Sequence, residues 1–341
     1  MITLDIIQGI FIVSLPFFTS LGWIYGIVFI ITIGSSMYHS TSITYITKLI
    51  PIRQRKRFNS LRSLLDSGAF LTGPAIAGVM FTLGSPNMAI YINAGALLLS
   101  ALITMGMPNV EPNVKLEKEI EKEPTKISFE VLKEDWKLVI RFSRQYVYIM
   151  VVYLLFSMMI VLMTATDSLE AAFATKVLSL TEGEYGVLVS IAGAGVLVGS
   201  LLNTIIVEKI PTSWLIGLGS IITAGGYVLL STSYTFFIAA VGFFVLSFAT
   251  AFANTGFYTF YQNNIPVDEM GRIVSLYGFI EAFLIIVFTV IFGISAELIS
   301  IRFIVALGAF MMLIVSIALL ICNVQPSKSK HYTHSELKDS L

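Results

Sequence analysis

Glu281 sits deep in the run IVSLYGFIEAFLIIVFTVIF, residues 273–292, where nearly every other side chain is apolar. A carboxylate in such a setting must be protonated or find a partner on another helix. Its helical neighbours Tyr277, Gly278, Leu284 and Ile285 offer no cation. Two roles follow. Glu281 could carry a proton or pair with a cationic substrate, or it could be an acid hydrogen-bonded between helices. Asp66, in RSLLDSGAF, has a simpler option, because Arg62 lies one helical turn before it and can pair with it. Other chemistries lack their residues. Cys322 is the single cysteine, and His39, His331 and His334 are too few and too scattered for a zinc site. There is no nucleophile–base pair, no metal cluster and no phosphate loop, so neither an enzyme nor a cofactor is expected. The glycines of GAGVLVGS, residues 193–200, follow no strand. Gly195 and Gly199 stand four apart in an apolar run and suit close contact between two helices.

Acids of this kind need a frame that holds them away from water, and the composition supplies one. Of 341 residues, 56% are hydrophobic and 12% charged, too little charge to clothe a soluble surface. The net charge of +0 gives no field for nucleic acid. A bilayer takes about 20 apolar residues of helix. Ten stretches qualify, at roughly 4–20, 23–46, 63–84, 88–107, 146–166, 185–207, 212–231, 235–260, 273–294 and 301–323. The expected fold is therefore an all-α membrane protein of ten transmembrane helices. With both termini in the cytoplasm, all but Lys176 and Arg302 of the 21 Lys and Arg residues face inward. Arg57, Arg62 and Arg272 then act as topology anchors. Between about 108 and 145 the chain is charged and punctuated by proline. There, Phe129, Leu132, Trp136, Val139 and Ile140 have the spacing of a helix lying on the inner membrane surface. The expected parts are 1–107, a first membrane half of four helices; 108–145, a cytoplasmic linker; 146–323, a second half of six; and 324–341, a cytoplasmic tail.

A shift of 215 positions carries Ile50-Pro51 onto Ile265-Pro266 and Arg57 onto Arg272. It also carries Ser60-Leu61 onto Ser275-Leu276, Asp66 onto Glu281, Gly78 onto Gly293 and His39 onto Asn254. Each copy reads as a long helix, an Ile-Pro stop, a charged turn and a helix with one acid at the same depth. Parallel repeats of this kind build many transporters, with the substrate site where the repeats meet. The first copy has no counterpart of residues 146–207, which would fall before Met1.

Three stretches carry a resemblance: RFNSLRSLLDSGAFLTGPAIAG (57–78), LTEGEYGVLVSIAGAGVLVGSLL (180–202) and DEMGRIVSLYGFIEA (268–282). The chain resembles the major facilitator superfamily, and within it the bacterial macrolide-efflux and enterobactin-exporter group. It aligns over nearly its whole length with that family's helices three through twelve. The resemblance implies a truncated two-half fold of four plus six helices that lacks the first two. It also implies a proton-coupled exporter, an antiporter of the drug-resistance kind, in the cell membrane. Its partners would be lipid, protons and an amphipathic small molecule, and the full-length form would be monomeric. The alternative is a non-transporting remnant, or a subunit that needs two further helices. GAFLTGPAIAG, with Gly73-Pro74, is similar to a relaxed antiporter motif of the family's fifth helix. His39, Asn254 and Tyr258 fall on segments that resemble the cavity-lining helices four and ten. Glu281 and Asp66 become the candidates for proton coupling.

Overall fold

The computed structural model describes residues 1–18, 20–83, 86–108, 129–325, 327 and 331–332. Among them the regular structure is all helical. The helices are α1 (Ile2–Ser14), α2 (Leu21–Leu49), α3 (Ile52–Leu83), α4 (Pro86–Met105), α5 (Phe129–Gln145) and α6 (Val147–Asp167). They continue with α7 (Glu170–Ala172), α8 (Glu182–Ile206), α9 (Thr212–Ser231), α10 (Phe236–Asn264), α11 (Val267–Leu298) and α12 (Ile301–Val324). Most of the linker, residues 109–128, and of the tail lies outside the described residues.

A helix occupies each of the ten stretches. Among the described residues, eight of them are long and apolar enough to cross a membrane, namely α2, α4, α6 and α8 through α12. The chain is thus a multi-pass membrane protein. The first stretch gives a shorter helix than its apolar run suggests. α1 ends at Ser14 and tightens into a turn at Leu15–Phe17, where Pro16 cannot donate a backbone hydrogen bond. α3 opens on the basic residues Arg53 to Arg57, so only its later part is apolar.

The chain forms two compact units. The first comprises Met1–Ile50, Thr72–Val139 and Val267–Ser275, and the second Pro51–Leu71, Ile140–Pro266 and Leu276–Leu341. In the first unit α1 packs on α4 and α2. Among its described residues the buried polar side chains have partners: Ser100 donates to the Asp5 carboxylate at 2.9 Å and Ser35 to the Gln8 carbonyl oxygen at 2.7 Å. The start of α11 joins this unit, with Ser275 Oγ 3.0 Å from Ser40 Oγ and Lys48 4.0 Å from Asp268.

In the second unit α9 and α8 pack on α10, and α12 packs on α9 and α6. Gly195 and Gly199 lie where α8 meets α10. A Cβ on Gly195 would stand 2.6 Å from the Phe244 carbonyl oxygen, and one on Gly199 would overlap that of Phe248. At the end of α9, Arg302 donates to the carbonyls of Ser231 (3.2 Å) and Ser233 (2.6 Å) and lies 4.2 Å above the Tyr234 ring. These are the unsatisfied carbonyls of a helix end, where a cation is favoured. From the tail, Tyr332 stacks on Phe260 at 5.2 Å and hydrogen-bonds to Tyr148 at 2.7 Å.

The 215-residue shift reappears as element boundaries. It carries Leu21–Leu49 onto Phe236–Asn264 and Ile52–Leu83 onto Val267–Leu298, end for end. The connecting residues agree too: Ile50 and Ile265 are both extended, at φ −91°, ψ 121° and φ −101°, ψ 127°. Even a polar contact repeats, since Gln8–Ser35 maps onto Thr223–Thr250, whose hydroxyls are 3.3 Å apart. The two units also exchange equivalent parts. The start of α3 belongs with α8 and α10, and the start of α11 belongs with α2.

Candidate functional site

Within the second unit, four helices present facing pairs of side chains spaced three or four residues apart, the spacing that shares one helix face. From α3 come Arg62 and Asp66, from α6 Tyr153 and Ser157, from α10 Tyr258 and Tyr261, and from α11 Tyr277 and Glu281. The aromatic rings hold the group together. Tyr153 is 5.4 Å from Tyr277, 5.4 Å from Phe257 and 6.5 Å from Tyr261, and Tyr258 is 6.1 Å from Tyr261. Phe156 stacks on Phe257 at 4.0 Å. These separations are those of offset and edge-to-face pairs.

Tyr258 is the hub. The Arg62 guanidinium lies 5.5 Å from its ring centroid, and Asp66 and Glu281 are both within electrostatic reach of it. Arg62 Nε is 3.8 Å from Asp66 Oδ2, a loose pair whose carboxylate side is largely exposed. Two donors here are buried without a partner among the described residues, Arg62 Nη1 and Tyr261 Oη. Glu281 lies near Ser157 of α6 and has no cation at ion-pair distance among the described residues. The arrangement can hold one carboxylate near neutral donors and a second near a cation, with aromatic faces between them.

Below the hub, α3 is bound to α10 by polar contacts. Asn59 Nδ2 donates to Thr259 Oγ1 at 3.0 Å and to Gln262 Oε1 at 2.8 Å. The buried Arg55 donates to the Gln262 carbonyl at 2.5 Å and to Asn263 Oδ1 at 3.1 Å, at the negative end of α10. Burial pulls the Arg55 guanidinium below its usual pKa range. Lys56 donates to the Ile210 carbonyl, and Ser67 Oγ is 2.6 Å from Ser200 Oγ.

The structure therefore brings Asp66, Arg62, Tyr258 and Glu281 together. His39 is exposed on α2, in the first unit. Asn254 is half-buried on α10, one turn before Tyr258. Arg57 is exposed, whereas Arg272 pairs with Asp135 of α5 at 3.3 Å. Gly73 is exposed with open space where a Cβ would be, and the Pro74 side chain lies outside the described residues. Tyr153, Ser157, Tyr261, Arg55, Asn59 and Gln262 were not singled out from sequence. The one available signal was the four-residue spacing of Tyr153 with Ser157 and of Tyr277 with Glu281.

Comparison with known proteins gives a consistent family. The family described as Major Facilitator Superfamily matches residues 1–289. An MFS-type transporter of Bacillus subtilis, YfiS, is 23% identical over 279 residues, which are 79% of this chain. The matched part spans 64% of that relative's length. Among solved structures, the human organic anion transporter MFSD10 aligns with a TM-score of 0.73 at 13% identity, covering 93% of this chain and 76% of its own. A bacterial homologue of the iron transporter ferroportin, in its outward-facing state, aligns with a TM-score of 0.67 at 14% identity, covering 95% and 80%. The Escherichia coli fucose:proton symporter FucP gives 0.67 at 12% identity, covering 95% and 82%.

Proposed function

Because the chain belongs to the Major Facilitator Superfamily, a family of transporters rather than enzymes, we propose that it is a proton-coupled secondary transporter. On this reading it moves an amphipathic small molecule or drug out across the cell membrane by alternating access. The observation that carries the reading is Glu281, a carboxylate on a membrane-spanning helix with no cation at ion-pair distance among the described residues. Such a group can gain and lose a proton without breaking an ion pair. Asp66, at the equivalent place in the repeat, already has Arg62, so the two acids divide into a coupling group and a structural one. The aromatic faces of Tyr153, Tyr258 and Tyr277 suit the apolar part of an amphipathic substrate.

The basic-residue asymmetry supports termini on the cytoplasmic side. The repeat supports a division at the 108–145 linker, with four helices before it and six after, and with His39 and Asn254 at equivalent positions. The full-length form would act as a monomer.

The test is substrate flux in inverted membrane vesicles under an imposed pH gradient, normalised to inserted protein. Glu281→Gln keeps shape and polarity but cannot exchange a proton. It should abolish pH-driven flux while leaving the amount of inserted protein unchanged. Asp66→Asn should chiefly lower yield. Undiminished flux in Glu281→Gln would leave that acid only a structural role.

A further inference from the structure

We propose that α5 is a receptor for anionic lipid headgroups, set against the helix that carries Glu281. α5 ends at Gln145, two residues before the membrane-spanning α6 begins at Val147. Its last turns therefore lie at the height of the headgroups. Lys133, Lys137, Arg141 and Arg144 recur at intervals of four, four and three, which gathers them on one helix face. All four are exposed, and none has an acid at ion-pair distance among the described residues.

The same side of the helix carries two exposed apolar residues, Trp136 (37% exposed) and Ile140 (46%). Val139 and Phe142, on the opposite side, are buried. A helix so divided has its protein-facing side satisfied and shows the outside mainly cations and apolar groups, with the exposed Glu134 beside them. That mixture fits a lipid surface, where long basic side chains reach phosphate while aromatic and aliphatic groups enter the acyl boundary. Water would favour only the first kind of residue, and a protein partner would have to enter the headgroup layer to reach the last turn. Each basic residue near an anionic surface adds roughly a fivefold preference for it, and four outweigh Glu130 and Glu134 on the same face to leave a net bias.

The buried side gives the contact its interest. Asp135 holds Arg272 at 3.3 Å, and Ser143 Oγ is 2.6 Å from the Tyr277 hydroxyl. Tyr277 stands one turn before Glu281 on α11 and is in ring contact with Tyr153. A headgroup bound to α5 is thus two side chains away from the candidate coupling acid.

The experiment uses Trp136 as its own reporter. Trp23 and Trp214 are replaced by Phe in the full chain, leaving Trp136 as the single indole. The protein is reconstituted into phosphatidylcholine vesicles containing about one-fifth brominated lipid, as phosphatidylglycerol or as phosphatidylcholine, since local enrichment of a charged lipid is what the basic stripe should cause. Brominated phosphatidylglycerol should quench Trp136 several-fold more than brominated phosphatidylcholine at the same mole fraction. The difference should shrink in about 1 M salt, where the screening length is about 3 Å. Changing all four basic residues to Gln should remove the difference, whereas Lys133→Arg with Lys137→Arg should keep it. Helical content by circular dichroism identifies any variant that fails to fold, and the Arg pair then carries the comparison with the unaltered stripe. Equal quenching by both lipids would overturn the proposal in favour of simple apolar insertion. Quenching by neither would place α5 in water and overturn it as well.

Discussion

At the residue scale, a close helical match between spacing and chemistry made some groups legible and hid others. Arg62 and Asp66 are one turn apart, so their pairing could be read from the sequence. Glu281 could be recognised by what its neighbours lacked, but Ser157, which lies near it, is on α6, more than 100 residues earlier, where no local pattern points to it. Asp167 and Glu170 follow an apolar run and look merely solvated. In the structure each accepts a tyrosine hydroxyl, from Tyr227 at 2.6 Å and from Tyr185 at 3.0 Å. Glu170 lies outside the spanning helices. Burial, with help from the nearby Asp167 and against the Tyr185 hydrogen bond, pushes its carboxyl from 4.5 up to about 7. The folded protein therefore holds this proton more tightly than the unfolded chain does. The resulting stability is full below pH about 4.5 and declines as pH rises towards about 7. Glu170 is only half-buried, so the effect should be modest, a few °C in the thermal midpoint. Between pH 5 and pH 8 in detergent, Glu170→Gln should lose part of the downward slope that the unaltered protein shows. Identical slopes would mean that Glu170 titrates normally.

At the scale of elements, apolar runs showed where helices form. α1 is cut short at Pro16, and most side chains in the apolar later part of α3 lie outside the described residues. Contacts between helices were legible only where glycine marks them. Gly195 and Gly199 let α8 approach the backbone of α10 at Phe244 and Phe248, whereas Gly186 on the same helix faces open space. Gly199→Ala should therefore destabilise by about 1–3 kcal/mol, the usual range for overpacking a tight contact. Gly186→Ala should be neutral or slightly stabilising, because alanine is the better helix former by about 1 kcal/mol. Thermal unfolding of the two variants side by side decides the point, and equal losses would show that both reflect a general intolerance of α8. The aromatic group around Tyr258 had no comparable marker. Its rings come from three helices, and in a chain with 25 Phe and 14 Tyr no single ring stands out.

For the whole molecule, the repeat was the most informative thing in the sequence. A shift of 215 positions, first seen in an Ile-Pro pair and a few charges, recurs as coincident helix ends and as a repeated polar contact on α1 and α9. The exchange of helix starts could not be foreseen, since it depends on which surfaces α3 and α11 find rather than on their own composition. Ser40 and Ser275 are 3.0 Å apart where the start of α11 meets α2. If alternating access requires this contact to open, cysteines at both positions, with Cys322 replaced by Ser, should stop flux when oxidised and restore it on reduction. Flux through the oxidised protein would mean that the contact stays closed throughout the cycle. The same exchange bears on how the molecule is made. The last piece of the first unit, Val267–Ser275, is synthesised only after the whole of Ile140–Pro266. The first unit must therefore wait in the bilayer with the hydroxyl edge of α2 unmet. Its completion comes late in synthesis.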